Sequence, residues 1–342
     1  MNSAAAKFYK PILWVLIVSL LVGASRLQQG LNREREKMGL TRLKPLENAP
    51  PLLAFTTVAL GGFRGLIANI LYVRASQLQE DDKYFEMVQL SDWITKLEPH
   101  LLQVWTVQAW NMAYNISVKF PDAADRWRWV RKGIELLRDE ALKYNPDEEL
   151  IYQQLGWLFQ HKLGQNLDDA QMYYKTAWAW EMQNLLGGVG LPNYDELLHP
   201  KTPEQIERVR VMEEVYKLHP KVMKEVDDHY GPLDWRLPEA HSIYWAWLGL
   251  KKAKPEKLLE LRRMIYQSMQ LAFYRGALTL NKFGGYPVLG PNLAMVDNAN
   301  RAYEEAMRDD PESAEHISIA HKNYLTNLPY YLYIYNRRAE AE

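Results

Sequence analysis

The hydrophobic positions along most of the chain recur with the period of amphipathic α-helices, and almost no stretch alternates as a β-strand does. Prolines and short polar turns separate the helical patterns, for example at Pro99, Pro146 and Pro311. Helices that each carry one apolar stripe must bury it against other helices when no sheet is present. The pattern therefore predicts an all-α fold.

The first apolar stretch, KFYKPILWVLIVSLLVGASR, has the layout of a signal anchor. A short basic tail over residues 1–10 precedes the uncharged run, and Arg26 closes it. The run is shorter than the roughly 20 residues of a comfortable span, but Lys10 and Arg26 can extend its reach. We expect a transmembrane anchor over residues 11–26, with a cleaved signal peptide as the alternative.

The basic residues around this run give two opposite indications of orientation. Arg26, Arg33, Arg35 and Lys37 follow it, and a strict count of positive charge would keep the body in the cytoplasm. A short basic region before an apolar run is instead typical of an exported anchor. We expect a single-pass protein of the bacterial inner membrane with a periplasmic body, and the cytoplasmic orientation stays the alternative.

Two segments connect the anchor to the body. Residues 27–49 are polar and charged, which predicts a stalk. Residues 50–73 are apolar but contain Arg64, which would cost roughly 3 kcal/mol at mid-membrane, and their glycines weaken a helix further. We expect residues 50–73 to form a buried or interfacial helix, with a second span as the alternative.

Residues 151–180 have the spacing of a helix–turn–helix unit. The first helix would carry Tyr152, Leu155, Gly156 and Phe159, and the second would carry Ala170, Tyr174 and Ala177. Small residues allow two helices to cross closely, and aromatic residues fill the space around the crossing. Parts of the same pattern recur around Trp105, around Trp245 and around Tyr303.

These motifs resemble the tetratricopeptide-repeat family, whose unit is a helix pair of about 34 residues closed by a proline. The resemblance covers residues 66–336 in a divergent form, with long loops near 184–203 and 281–292 and a charged tail over 337–342. It implies a helical repeat solenoid. An anchor before such a body is also similar to membrane-anchored bacterial envelope proteins, a resemblance that implies no activity.

Tetratricopeptide arrays bind peptides or protein segments on a concave face that is lined mainly by first helices. By register, the resemblance places there Thr106, Trp110 and Tyr114 of one unit, Gln153, Trp157 and His161 of the next, and Trp247 of a later one. Trp110 and Trp157 occupy equivalent positions, and adjacent tryptophans would provide aromatic anchors for a partner. Packing between repeats is the alternative, because aromatic residues at helical spacing usually belong to a core.

Composition argues against several kinds of chemistry. Lys and Arg number 41 against 42 for Asp and Glu, so no long-range field favours nucleic acid. The chain has 0 cysteines and therefore no thiolate nucleophile, no disulfide and no cysteine-held metal. Its histidines lack metal-site spacing, and the glycine-rich LLGGVGLP lacks the lysine of a phosphate loop. We expect no cofactor and no metal site.

The segment HYGPLDWRLPEAHSIYWAWLG, residues 229–249, is the densest polar stretch. An enzyme could use Asp234 to orient His241 and Arg236 to bind an anion. The sequence supplies no nucleophile or cofactor motif to complete such a site. The structural interpretation pairs Asp234 with Arg236 in a turn and begins a helix at Pro238, and we expect no catalysis here.

Together these patterns predict a membrane-anchored scaffold or adaptor that binds a protein or peptide partner, itself associated with the membrane. The N-terminal helix would contact the lipid bilayer. The principal alternative is a structural subunit of a larger membrane complex, which it would contact through the anchor and residues 50–73. An enzyme that uses Asp234, Arg236 and His241 is the third possibility.

Overall fold

Helices dominate the computed structural model. It describes residues 3–37, 64–188, 191–280 and 285–342. Within these ranges the sheet is a single short hairpin, so the all-α prediction is confirmed. The chain divides into two compact units, residues 1–101 and 102–342.

Helix α1, Ser3–Lys37, contains the predicted anchor. Its part from Pro11 to Leu31 is long and apolar enough to cross a membrane. This candidate span extends past the predicted end at Arg26, because the chain returns to apolar residues such as Leu27. The helix then continues into the first part of the predicted stalk.

Helices α2, Arg64–Glu80, and α3, Tyr84–Leu97, form a helical hairpin in the first unit. Asp82 makes the tight turn between them with a left-handed φ of 59°. Both helices bury one apolar face, for example at Leu78 and Ile94. An amphipathic helix that buries one stripe against a neighbour accounts for this pairing.

The predicted apolar helix over residues 50–73 is described only in its second part. Residues 50–63 lie outside the described residues, and the remainder begins α2. Leu66, Ile70 and Val73 are exposed there and follow each other at the i, i+4, i+7 spacing of one helix face. The first unit therefore presents an apolar stripe on α2.

The second unit is an array of helices packed side by side. The helices are α4 (Leu102–Trp110), α5 (Ala123–Glu135), α6 (Leu142–Tyr144), α7 (Glu149–Trp157), α8 (Gln171–Leu186), α9 (Tyr194–Leu198), α10 (Pro203–Glu214), α11 (Pro220–Tyr230), α12 (Pro238–Leu250), α13 (Leu258–Arg275), α14 (Val296–Asp309), α15 (Ala314–Ile334) and α16 (Arg338–Ala341). Helices α12 to α15 each pack against the next in the chain, and α7 packs against α12. After Pro311 the chain forms one long helix, α15.

Three helices of this unit continue into π-helical turns. Asn111–Ile116 follows α4, Leu136–Ala141 joins α5 to α6, and Leu158–Gly164 follows α7. A π turn contains one more residue than the corresponding α-helical turn, so side chains beyond it leave the 3.6-residue spacing. Turns of this kind occur frequently at functional sites.

The glycines of the repeat-like motifs lie where helices cross closely. A Cβ atom on Gly156 of α7 would clash with Met264 of α13 and would lie 3.2 Å from the carbonyl oxygen of Ser242 in α12. A Cβ atom on Gly249 of α12 would lie 2.9 Å from Leu261. Glycine therefore allows α7, α12 and α13 to approach one another.

Buried aromatic side chains fill the space between these helices, and two buried tyrosines find hydrogen-bond partners inside. Tyr244 donates its hydroxyl hydrogen to the carbonyl oxygen of Lys217 at 2.7 Å. Tyr174 donates to Asp168 Oδ2 at 3.0 Å. A buried tyrosine hydroxyl needs such a partner, and at these two positions the fold provides one.

The two predicted long loops have more structure than the sequence pattern indicates. Helix α8 extends into the first loop and ends at Gly187, whose φ of 84° suits a helix C-terminus, and α9 lies within the same loop. In the second region strand β1, Ala277–Thr279, pairs antiparallel with β2, Val288–Gly290. The hairpin was not predicted, because strands this short offer too few positions for an alternating pattern.

Candidate functional site

Four of the predicted groove residues form a continuous row of rings, which we call the aromatic strip. Trp110 lies at the end of α4 and Tyr114 in the π turn after it, with ring centroids 5.4 Å apart. Trp157 lies at the end of α7 and His161 in the following π turn, stacked at 4.4 Å. The centroids of Tyr114 and His161 are 5.7 Å apart, so the strip crosses from one helix to the other.

A hydrogen bond joins the two halves of the aromatic strip. The hydroxyl oxygen of Tyr114 lies 2.9 Å from His161 Nδ1. Burial raises the pKa of Tyr114, so its hydroxyl stays protonated at neutral pH. Burial and the positive charge of Lys162 both lower the pKa of His161, so the ring is neutral at pH 7. A neutral imidazole and a phenol hydroxyl form one hydrogen bond in either tautomer of the ring.

The two tryptophans of the strip keep much of their surface in solvent. Trp110 is 42% exposed and Trp157 is 37% exposed. Exposed tryptophans held in fixed positions are frequent anchors of protein interfaces, because a partner buries a large rigid ring at small entropic cost. The structure thus places Trp110 and Trp157 on the surface rather than within the packing between helices.

Thr106 and Gln153 extend the strip along its two helices. Each lies four residues before a strip tryptophan, which places it one turn away on the same helix face. Both side chains are half-buried, and Thr106 donates its hydroxyl hydrogen to the carbonyl oxygen of Gln103 at 3.1 Å. Thr106 is thereby tied to its own helix.

Trp247, which was also predicted to line the groove, does not join the strip. Its ring contacts His229 at 5.3 Å and Tyr230 at 5.8 Å, and Lys251 Nζ lies 5.6 Å from it. The end of α11 covers this face of α12 because the chain folds back through the turn before Pro238. Trp247 is accordingly half-buried.

A cavity of about 310 Å³ lies beside the aromatic strip and includes two of its residues in its lining. The lining consists of Tyr114, Val118, Arg126, His161, Lys162, Leu167, Asp168 and Asp169. Val118 and Leu167 are exposed apolar residues, whereas Lys162 and Asp168 are buried. The cavity therefore combines an apolar rim with a charged interior.

The charged interior is a network around Asp168. Lys162 Nζ donates to Asp168 Oδ2 at 2.7 Å, and both side chains are 4% exposed. Arg126 Nη1 donates to Asp168 at 3.1 Å and to Asp169 at 2.6 Å. Burial acts to raise the pKa of Asp168, but the hydrogen bonds from Lys162 and from the Ala170 amide outweigh it and hold the pKa well below its usual range.

The sequence pattern does not indicate these charged residues. Asp168 precedes helix α8 and accepts a hydrogen bond from the Ala170 amide at 2.9 Å, so an acidic residue at a helix start was the available signal. Arg126 lies 42 residues earlier in the chain than Asp168. No local pattern pairs residues across such a separation, because the pairing depends on how α5 packs against α8.

Asp234, Arg236 and His241, the residues that an enzyme could use, make structural contacts in the fold. Asp234 forms an ion pair with Arg236 at 2.6 Å, and α12 begins at Pro238, as the structural interpretation predicts. His241 Nε2 contacts the carbonyl oxygen of Trp235 at 2.8 Å, so Asp234 does not orient it. Burial lowers the pKa of His241 to about 4, which keeps the imidazole neutral.

Among the described residues, no cluster of three or more His, Asp or Glu side chains is placed to hold a metal ion. Comparisons of the chain with protein-family models, with curated proteins and with solved structures gave no match. The case for function therefore depends on the geometry of the aromatic strip and its cavity.

Proposed function

We propose that this protein is a membrane-anchored helical scaffold that binds a segment of a partner protein through the aromatic strip. The observation that carries the proposal is the continuous row of four rings across α4 and α7, with Trp110 and Trp157 exposed at its two ends. The Tyr114–His161 hydrogen bond fixes the row before a partner arrives, which lowers the entropic cost of binding.

A tetratricopeptide-like repeat architecture belongs to the same proposal. Gly156 and Gly249 lie at close helix crossings, those of Gly156 being with α12 and α13, and the strip residues come from corresponding positions of consecutive predicted units. An array of this kind presents several first helices side by side, which suits recognition of an extended segment. The proposed role is binding, without a catalytic step.

The proposed location is the bacterial inner membrane, with α1 as the span and the second unit in the periplasm. Two features support this placement: the apolar part of α1, Pro11–Leu31, and the short basic region before it. A partner associated with the same membrane would be held near the strip by this tether, which raises its effective concentration.

The decisive experiment removes the exposed tryptophans. The double variant Trp110→Ala/Trp157→Ala of the full-length protein should lose the native partner, identified by pull-down from solubilised membranes and then tested as a purified protein. Loss of one hot-spot residue typically costs about 2 kcal/mol, so we expect the Kd to rise about thirtyfold or more.

Trp180→Ala provides the matched control, because Trp180 is a 39% exposed tryptophan on α8 outside the strip. It should leave partner affinity unchanged. Equal loss in both variants, or full affinity in the double variant, would show that the strip is not the binding surface.

A structural subunit of a membrane complex remains the second candidate, and the exposed stripe of Leu66, Ile70 and Val73 on α2 favours it. The same pull-down distinguishes the two roles. If the chain is such a subunit, Leu66→Gln/Ile70→Gln releases the complex, whereas the tryptophan variant retains it. The reverse result supports the scaffold.

A further inference from the structure

The cavity beside the aromatic strip contains a buried ammonium group with unused hydrogen-bonding capacity. Lys162 is 3% exposed, and among the described residues its only recorded hydrogen bond goes to Asp168 Oδ2. The rings of Tyr114 and Tyr174 lie 5.0 and 5.7 Å from Nζ and stabilise its charge. An ammonium group has three N–H donors, so two of them are free to bind another acceptor.

A guanidinium group with an unused donor lines the same cavity. Arg126 directs Nε to the carbonyl oxygen of Phe120 and Nη1 to the two aspartates, while Nη2 makes no hydrogen bond to the part of the chain that the structure describes. His161 also lines the cavity and uses Nδ1 for its hydrogen bond with Tyr114.

The hydrogen-bond acceptors that line the cavity, by contrast, already have donors within the protein. Asp168 accepts from Arg126, from the Ala170 amide, from Lys162 and from Tyr174. Only Asp169 is readily displaced: its side chain is 85% exposed, and it is paired with Arg126 at 2.6 Å. Exposed carboxylates contribute little through such pairs, so a competing acceptor can take its place.

The balance of charge limits what that competing acceptor can be. Arg126 and Lys162 carry two positive charges, and Asp168 and Asp169 carry two negative charges. A ligand with one negative charge that replaces Asp169 on Arg126 leaves the interior neutral. A phosphate dianion would leave an excess negative charge beside the buried Asp168, which a low-dielectric site disfavours.

We infer that the cavity binds a carboxylate group between Lys162 and Arg126, carried on a small apolar or aromatic body that rests against Leu167 and Val118. The volume of about 310 Å³ accommodates a carboxylate with a short body. The inference rests on the proposed function, since Tyr114 and His161 belong both to the strip and to this cavity. The carboxylate can come from a free organic acid or from an acidic side chain of the partner.

The test compares an acid with its neutral isostere on the full-length protein in detergent micelles. We expect 3-phenylpropionate to bind saturably by calorimetry, and at least tenfold more tightly than 3-phenylpropanamide. Asp169→Asn should tighten binding of the acid about three- to tenfold, because the competing carboxylate is gone. If Asp169 had only a structural role, the Asp169→Asn variant would not bind the acid more tightly.

Arg126→Gln should weaken binding of the acid at least tenfold, and its melting curve shows whether the fold is kept. If this variant unfolds, Asp169→Asn remains informative because its side chain is exposed. Weaker binding of the acid by Asp169→Asn would overturn the inference.

A second pair of probes identifies the source of the carboxylate. Two peptides blocked at both ends, one with Phe-Glu and one with Phe-Gln at its centre, are compared in the same way. Selectivity for the Glu peptide alone assigns the carboxylate to a partner side chain, and selectivity for the free acid as well assigns it to a small molecule. No selectivity in either pair refutes the inference. Failure of the proposed function would give a different result: the variant that lacks both strip tryptophans would still capture the partner.

Discussion

At the scale of single residues, two neighbours in one π turn take opposite roles. His161 is half-buried and stacks on Trp157 in the aromatic strip, whereas Lys162 is buried and paired with Asp168. Breaking a buried ion pair by removing one charge leaves the other charge without compensation, which is strongly destabilising. The Lys162–Asp168 ion pair therefore stabilises the turn that carries His161, and both of its residues also line the cavity.

The Asp168→Asn variant tests this support. We expect it to lower the free energy of unfolding at pH 7 by about 3–5 kcal/mol, because Lys162 keeps its charge in a buried position. Since the folded pKa of Asp168 lies below its usual value of 3.8, its contribution is complete well above pH 3.8 and declines as the pH falls through and below that value. Urea unfolding at several pH values measures the difference.

The matched control for that variant is Asp169→Asn. Its side chain is 85% exposed, so the free energy of unfolding should change by no more than about 0.5 kcal/mol. Similar losses in the two variants, or a loss in Asp168→Asn that grows on acidification, would contradict the interpretation of Asp168 as the buried charge partner.

Residue-level prediction from sequence succeeds only where a position is defined by local spacing. The equivalence of Trp110 and Trp157 is visible in the sequence, and the structure brings both into one row with Tyr114 and His161. Trp247 has a similar local setting, yet α11 covers it. Which tryptophan meets solvent is decided by packing between distant segments, and sequence spacing contains no information about that.

At the scale of elements, the crossing of α4 and α5 depends on one glycine. A Cβ atom on Gly133 would lie 2.8 Å from the carbonyl oxygen of Ala109. The obstructing atom belongs to the backbone of α4, so the helices would have to separate. This crossing positions Trp110 and Arg126, which lie on the two helices.

We therefore expect Gly133→Ala to destabilise the protein by about 1–3 kcal/mol through overpacking, despite the better helix propensity of alanine. Thermal unfolding followed by circular dichroism is the measurement. Gly65→Ala in α2 is the comparison, because its nearest atom, Glu98 Oε1, is 3.9 Å away. That variant should be neutral or stabilised, and an equal loss at both positions would show that the crossing is not tight.

Helix boundaries were the most predictable elements, because proline and capping residues act locally. Helix α12 begins at Pro238, as predicted from the sequence, and α10 likewise begins at a proline, Pro203, with a capping box at Thr202. The β-hairpin and the π turns were not predicted. Strands of three residues are too short to show alternation, and a π turn differs from an α turn in length rather than composition.

At the scale of the whole molecule, the orientation of the body across the membrane determines which partners can reach the strip. The proposed periplasmic location predicts that alkaline phosphatase fused after Glu342 is active in cells. The reason is that this enzyme needs an oxidising compartment to form its disulfides. A fluorescent cytoplasmic reporter at the same position is the complementary control, and activity of that reporter alone would place the body in the cytoplasm.

The fold class was predictable from periodicity alone, whereas the division into units was not. The sequence analysis treated residues 66–336 as one repeat domain, but the structure groups α2 and α3 with α1 in a unit that ends at Leu101. Apolar periodicity shows that a helix buries a face and does not show which helix it buries that face against. The charged cavity could not be predicted for the same reason, because its residues come together only through the packing of separate helices.

The two π turns of the aromatic strip have a consequence for how this surface could have arisen. Each is equivalent to an α-helix with a single inserted residue, which the wider turn absorbs locally. Deleting one residue of each turn ahead of Tyr114 and His161 would keep nearly the same composition and charge, restore an α-helical turn and shift each ring by one position relative to its tryptophan. A binding surface of this kind can thus be gained or lost through changes of length, without exchange of a single aromatic side chain.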